Sequence, residues 1–122
     1  MLHGVFFNII KVSREPEILV ELELNPAHPV YKGHFATQPV APGVCLTQMF
    51  KEVLMHLTGE KLFFEQGDNI RFNSLLDPNV NPNAIFKVEY NQESEGLFKA
   101  KGVLVHEKTK FFTIQGKFRV RD

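Results

Sequence analysis

What this chain has little of narrows the field first. It holds one cysteine, Cys45, in 122 residues, which excludes an internal disulfide framework and fits a reducing compartment. It has no net charge, with 14 Lys and Arg against 14 Asp and Glu, so no overall field draws it to nucleic acid or to a membrane surface. No apolar run reaches the roughly 20 residues of a membrane span. The amino terminus shows neither a basic leader nor a small-residue cleavage site, and a cytoplasmic protein is the expectation. The five histidines and the cysteine have no metal-ligand spacing. There is no glycine-rich phosphate loop, so no metal or cofactor is expected. Tryptophan is absent as well, while phenylalanine is abundant at 12. A greasy interior or an acyl-binding lining would account for that, and core packing alone suffices.

What is present fits one domain spanning residues 1–122. Residues 4–12 and 17–24 read as two strands around a Ser13–Pro16 turn, the second alternating Ile18, Val20, Leu22 and Leu24 against Glu17, Glu21 and Glu23. A proline-rich loop runs from His28 to Pro42. Then Val44, Leu46, Met49, Phe50, Val53, Leu54 and Leu57 recur at three- and four-residue steps, which predicts a helix over 43–57 stopped by Gly59. Pro42 suits the first turn, where an N–H would have no partner, and Gly43 lets another group come close to the backbone. Weaker strands are expected at 61–66 and 69–75, and stronger ones at 84–91, 97–106 and 109–121. Their one-sided alternation describes an antiparallel sheet with one dry face, and the 43–57 helix is the one long apolar element able to cover it. The class is α+β, a curved sheet wrapped around one central helix. Residues 99–122 carry seven cations against two acids. A solvated sheet face accounts for them, and a docking patch for an acidic partner is the alternative.

The segment GHFATQPVAPGVCLTQ carries the most information. It resembles the signature of the β-hydroxyacyl-acyl carrier protein dehydratases: Gly-His-Phe-Pro, two variable residues, Pro-Val-x-Pro-Gly-Val, then an acidic residue one turn into a helix. Gly33, His34, Phe35, Pro39, Val40, Pro42, Gly43 and Val44 match in type and spacing. Ala36 replaces a proline, and Gln48 stands where the family places a carboxylate. GDNIRFNSLLDPN, residues 67–79, resembles the family's strand with its Arg-Phe pair. The resemblance implies the hotdog fold.

It also implies a chemistry. Dehydrating a 3-hydroxyacyl thioester removes a proton from C2 and expels the C3 hydroxyl as water, which needs a base near neutral pKa and a stabilised thioester oxygen. By resemblance His34 is the base. The Gly43 N–H, at a helix N-terminus with its unpaired donors and partial positive charge, takes the thioester carbonyl. Gln48 keeps the shape of the family's acid but has no proton to release. His34 doing both transfers, substitution by His28, Tyr31 or His56, and acyl binding without turnover all remain open. The acyl chain is expected against Phe35, Val44 and Phe72. Cys45 reads as a small buried helix residue. The resemblance implies an acyl carrier protein with a phosphopantetheine-linked substrate as partner, and a homodimer, or a higher oligomer, whose sites are shared between chains. The alternatives are a non-catalytic acyl- or carrier-binding module, and a thioesterase, for which the helix offers one carboxylate, Glu52.

Overall fold

The computed structural model describes residues 1–32 and 40–121. Strands β1 (Phe7–Ser13) and β2 (Ile18–Leu24) form the expected antiparallel hairpin. β1 starts later than the apolar run from residue 4 suggests. Gly4 takes a positive φ of 93°, and the N–H groups of Val5 and Phe6 turn back to the Leu2 carbonyl, so residues 2–6 form a turn.

Helix α1 (Gly43–Thr58) begins after Pro42, which precedes the first turn instead of lying in it, and ends at Gly59, whose left-handed φ of 73° lets its N–H reach the Met55 carbonyl. Its apolar stripe buries Leu46, Met49, Phe50, Val53, Leu54 and Leu57. Among them Glu52 is also buried.

The two weaker strands expected at 61–66 and 69–75 are one strand, β3 (Leu62–Phe72), with register breaks at Phe64/Gln66 and Gly67/Asn69. The polar run Glu65–Asp68 interrupts the alternation because two bulges turn it outward. β4 (Asn83–Ser94), β5 (Leu97–His106) and β6 (Thr109–Val120) complete a six-stranded sheet in the order β1-β2-β4-β5-β6-β3, every neighbour antiparallel. This is the hotdog arrangement, with α1 against the dry face.

Helix and sheet meet through phenylalanine. Phe50 lies 5.3 Å from Phe86 and 5.7 Å from Phe118 between ring centres. Its ring rests directly on Gly102 of β5, in space that a Cβ there would occupy. Thr113, which alternates with the core residues Phe112 and Ile114 of β6, is nonetheless buried and donates to Asn73 Oδ1 at 3.2 Å. The chain after β3 continues beside β6, with the N–H groups of Asn73 and Ser74 both donating to the Phe111 carbonyl. The Leu76 carbonyl then accepts the Ala41 N–H at 2.8 Å. That bond fixes the segment after β3 against the start of α1. Of the carboxy-terminal cations, Lys99, Lys101, Lys108, Lys110 and Arg121 are exposed, while Lys117 and Arg119 are half-buried and pair with Glu93 and Glu65.

Candidate active site

Among the described residues the start of α1 is chemically bare. Pro42 offers no side-chain hydrogen bond to the first turn, and that turn contains no acidic residue. An α-helix cannot satisfy its first N–H groups internally, so donors and a partial positive charge gather at Gly43. In front of them lies a cleft of about 280 Å³ whose apolar lining includes Val40, Val44, Leu46, Phe72, Leu75 and Leu76. Val44, Phe72 and Leu75 are 77%, 60% and 69% exposed there, an unusual concentration of large apolar side chains at one surface. Phe72 stacks on Phe112 at 5.4 Å and reaches over Gly43. A Cβ at position 43 would stand 2.6 Å from its ring. Of the residues singled out in the sequence, the fold brings Gly43, Val44 and Phe72 together. His34 and Phe35 lie outside the described residues.

Gln48 faces elsewhere. Five residues beyond Gly43 it is turned by roughly 140° around the helix, and it lines a second cleft of about 320 Å³ with Met1, Lys51, Met55, Lys61, Leu62 and Arg121. Its amide nitrogen donates to Glu52 Oε2 at 2.8 Å. The same carboxylate accepts the N–H groups of Leu2 and His3, each at 2.8 Å, and is 3% exposed. Burial pushes the Glu52 carboxyl upward, but the bonds from Leu2, Gln48 and His3, with the positive amino terminus, outweigh it. The net result is a carboxyl held below its ordinary range. The sequence offered a signal for this pair. Gln48 and Glu52 are four residues apart on one helix, and Glu52 is a charge inside an apolar stripe.

The other candidates stand as follows. His28 Nδ1 accepts the Val30 N–H at 3.1 Å, capping the short 3₁₀ turn Pro29–Tyr31, and its ring meets Phe6 edge-on at 5.5 Å. His56 is exposed near the far end of α1, 6.4 Å from the His3 ring. Tyr31 is 6% exposed and stacks on Phe6 at 6.0 Å; its hydroxyl has no hydrogen-bond partner among the described residues. Burial, and then Cys45 and Asp77, drive its pKa well above the usual phenol value, so it is a neutral donor and not a base. Burial likewise pushes the Cys45 thiol up, the direction opposite to that of an activated nucleophile. Glu52, the one carboxylate a thioesterase could use, is committed to three hydrogen bonds. Among the described residues no helix is long and apolar enough to cross a membrane.

Comparison with known proteins agrees with this geometry. The chain is similar to the 3-hydroxyacyl-acyl-carrier-protein dehydratase FabZ of Tolumonas auensis, 32% identical over 103 residues that cover 76% of this chain and 67% of that protein. The same-named protein of a Caulobacter species is 31% identical over 62% of this chain and 50% of its own length. Matches thus span about half to two thirds of these relatives. Among solved structures, the dehydratase heterocomplex ApeI:P from Xenorhabdus doucetiae shares the fold, with a TM-score of 0.65 at 20% identity over 91% of this chain and 96% of that one. An uncharacterised protein from Erwinia carotovora superposes with a TM-score of 0.55 at 18% identity, over 92% of this chain and 90% of that one. The model of the ApeI-like family, described as ApeI dehydratase, matches residues 10–113. With a hotdog sheet around α1 and a bare helix start facing an apolar cleft, the chain belongs to the ApeI-like dehydratase family.

Proposed function

We propose that this protein dehydrates 3-hydroxyacyl thioesters, carried on the phosphopantetheine arm of an acyl carrier protein, to trans-2-enoyl thioesters in fatty-acid or related acyl chain synthesis. The observation that carries the reading is the uncapped start of α1 at Gly43, opening on an apolar cleft of about 280 Å³. A thioester oxygen at the Gly43 N–H gains charge as C2 loses its proton, and donors already in place stabilise that charge without reorganising. His34 takes the C2 proton. The electron pair forms the C2–C3 double bond as the C3–oxygen bond breaks, and the imidazolium returns the proton to the departing hydroxide, releasing water. The apolar walls around Val44 and Phe72 take the acyl chain.

Gln48 supplies a hydrogen bond and no proton. Because it faces away from the Gly43 cleft, it serves a site on a second chain, and a homodimer is the assembly that joins the two. β3 lies at the edge of the sheet with Phe63 and Ile70 exposed at 40% and 38%, which supports edge-to-edge pairing of two sheets. The solved Xenorhabdus doucetiae relative is named as a heterocomplex, and a second, different hotdog chain is the other assembly. Light scattering of the purified chain separates them.

A non-catalytic acyl- or carrier-binding module is the second reading, favoured by the commitment of Gln48 to Glu52 in place of a free acid. Incubation with 3-hydroxyacyl and trans-2-enoyl thioesters of several chain lengths decides. Interconversion supports the dehydratase. No hydration or dehydration at any length, alongside tight carrier binding, supports the binding module.

A further inference from the structure

The Gln48–Glu52 contact determines what Gln48 offers to a substrate. An ionised carboxylate only accepts hydrogen bonds. Glu52 is 3% exposed, and both of its oxygens are already held by backbone donors, Oε2 by Leu2 and Oε1 by His3, each at 2.8 Å. Turning the Gln48 amide over would set its oxygen against Glu52 Oε2, two acceptors in contact in a buried place. The amide nitrogen therefore stays on Glu52, at 2.8 Å, and the carbonyl oxygen is the uncommitted end. The backbone bonds to Leu2 and His3 keep the carboxylate from following Gln48 if the latter moves, so the orientation is built in before any ligand arrives.

We infer that Glu52 is a positioning residue that fixes the Gln48 carboxamide with its carbonyl oxygen outward, making this helix position an acceptor for the substrate's C3 hydroxyl. The inference rests on the dehydratase reading and adds a specificity to it. A hydroxyl at C3 donates to Gln48 Oε1, and a thioester saturated at C3 leaves that oxygen empty. Sites built to hydrogen-bond a hydroxyl discriminate against analogues that lack it. Glu52→Gln removes the constraint with little change of shape. An amide at 52 can donate to Gln48 Oε1, turn the Gln48 amide over, and present nitrogen to the substrate.

The test uses the full-length chain and two pantetheine thioesters, a 3-hydroxyacyl and the matching saturated acyl, with binding read by calorimetry and turnover assayed separately. The wild type is expected to prefer the hydroxylated ligand by about tenfold. Glu52→Gln is expected to shrink that preference, since a turned amide offers the hydroxyl oxygen only a donor of unfixed orientation, and to lower kcat more than it raises KM. The exchange Gln48→Glu with Glu52→Gln guards against simple misfolding. It keeps an acceptor outward, leaves one amide oxygen at position 52 for the N–H groups of Leu2 and His3 to share, and should restore the preference in the fraction that folds. Equal affinities in a wild type that turns over substrate, or an undiminished preference in folded Glu52→Gln, overturns the role of Glu52 and leaves the dehydratase reading intact. A wild type that neither binds nor converts either thioester overturns the dehydratase reading, and this inference with it.

Discussion

Phe72 lies across Gly43 so closely that a methyl group on residue 43 would stand 2.6 Å from two atoms of its ring, Cε1 and Cζ. The ring is 60% exposed and lines the cleft at the helix start, so swinging aside changes the shape of that cleft. Gly43→Ala should therefore cost little stability, less than about 1 kcal/mol, since alanine also favours helix over glycine. Activity should fall by about 10²-fold, the scale of an ångström-sized misplacement at a reacting centre. Adding Phe72→Ala should return much of the loss by emptying the contested space. Thermal melts beside steady-state rates check both halves. Wild-type activity in Gly43→Ala would mean that the Gly43–Phe72 contact has no bearing on the substrate.

The base is tested at His34. His34→Ala should lower turnover by about 10²–10⁴-fold, the usual contribution of a positioned acid–base group. The variant is compared with the wild type by melting temperature, so that lost turnover is not mistaken for lost folding. Circular dichroism and rate measurements on the same preparation are sufficient. An active variant would move the proton transfer to another group and unseat the proposed chemistry.

Much of the fold was legible because two periodicities were clean. The stripe from Leu46 to Leu57 gave α1, and the alternation through Phe86, Val88, Leu104, Phe112 and Phe118 gave the dry face of β4 to β6. β3 was harder to read, since Glu65 to Asp68 bulge outward and look like a loop between two short strands. The site was legible where it depends on local chemistry, as at Gly43, whose glycine announces a close neighbour without saying that the neighbour is Phe72. The four-residue step from Gln48 to Glu52 was visible, but the tie of Glu52 to the amino-terminal turn was not, because two of its three donors are the backbone N–H groups of Leu2 and His3. Any residue supplies an N–H, so such a bond leaves no mark in the sequence.

Gly102 lies directly beneath the Phe50 ring of α1. A Cβ there would overlap the Phe50 ring, which is fully buried between Phe86 and Phe118. Unlike Phe72, this ring has nowhere to go. Gly102→Ala should destabilise by about 1–3 kcal/mol, the scale of overpacking in a dense core. Phe50→Leu alone should also destabilise. The two together should cost less than the sum of the single changes, because the smaller side chain makes the room that the methyl needs. Urea unfolding of the four proteins supplies the cycle, and strict additivity would show that the contact is not felt.

Acid should act on the fold through Glu52. Its carboxyl is held below its ordinary range in the folded chain because the bonds from Leu2, Gln48 and His3 and the amino-terminal charge outweigh the upward push of burial. A depressed folded pKa means that the unfolded chain binds the proton more readily. The stabilisation is thus fully present above the unfolded value of about 4.3, and it drains away as pH falls through the lower folded value. Below that window the protonated carboxyl no longer accepts all three donors, and Leu2, His3 and Gln48 lose their common anchor. Melting temperatures of the wild type and Glu52→Gln, taken from neutral pH down to about 3, isolate this residue from the other carboxylates. The gap between the two proteins should be widest near neutrality and should close on the acid side of about 4.3. A gap that stays constant with pH would mean that the charge of Glu52 does not hold the amino-terminal turn to α1, and that only the shape of the side chain does.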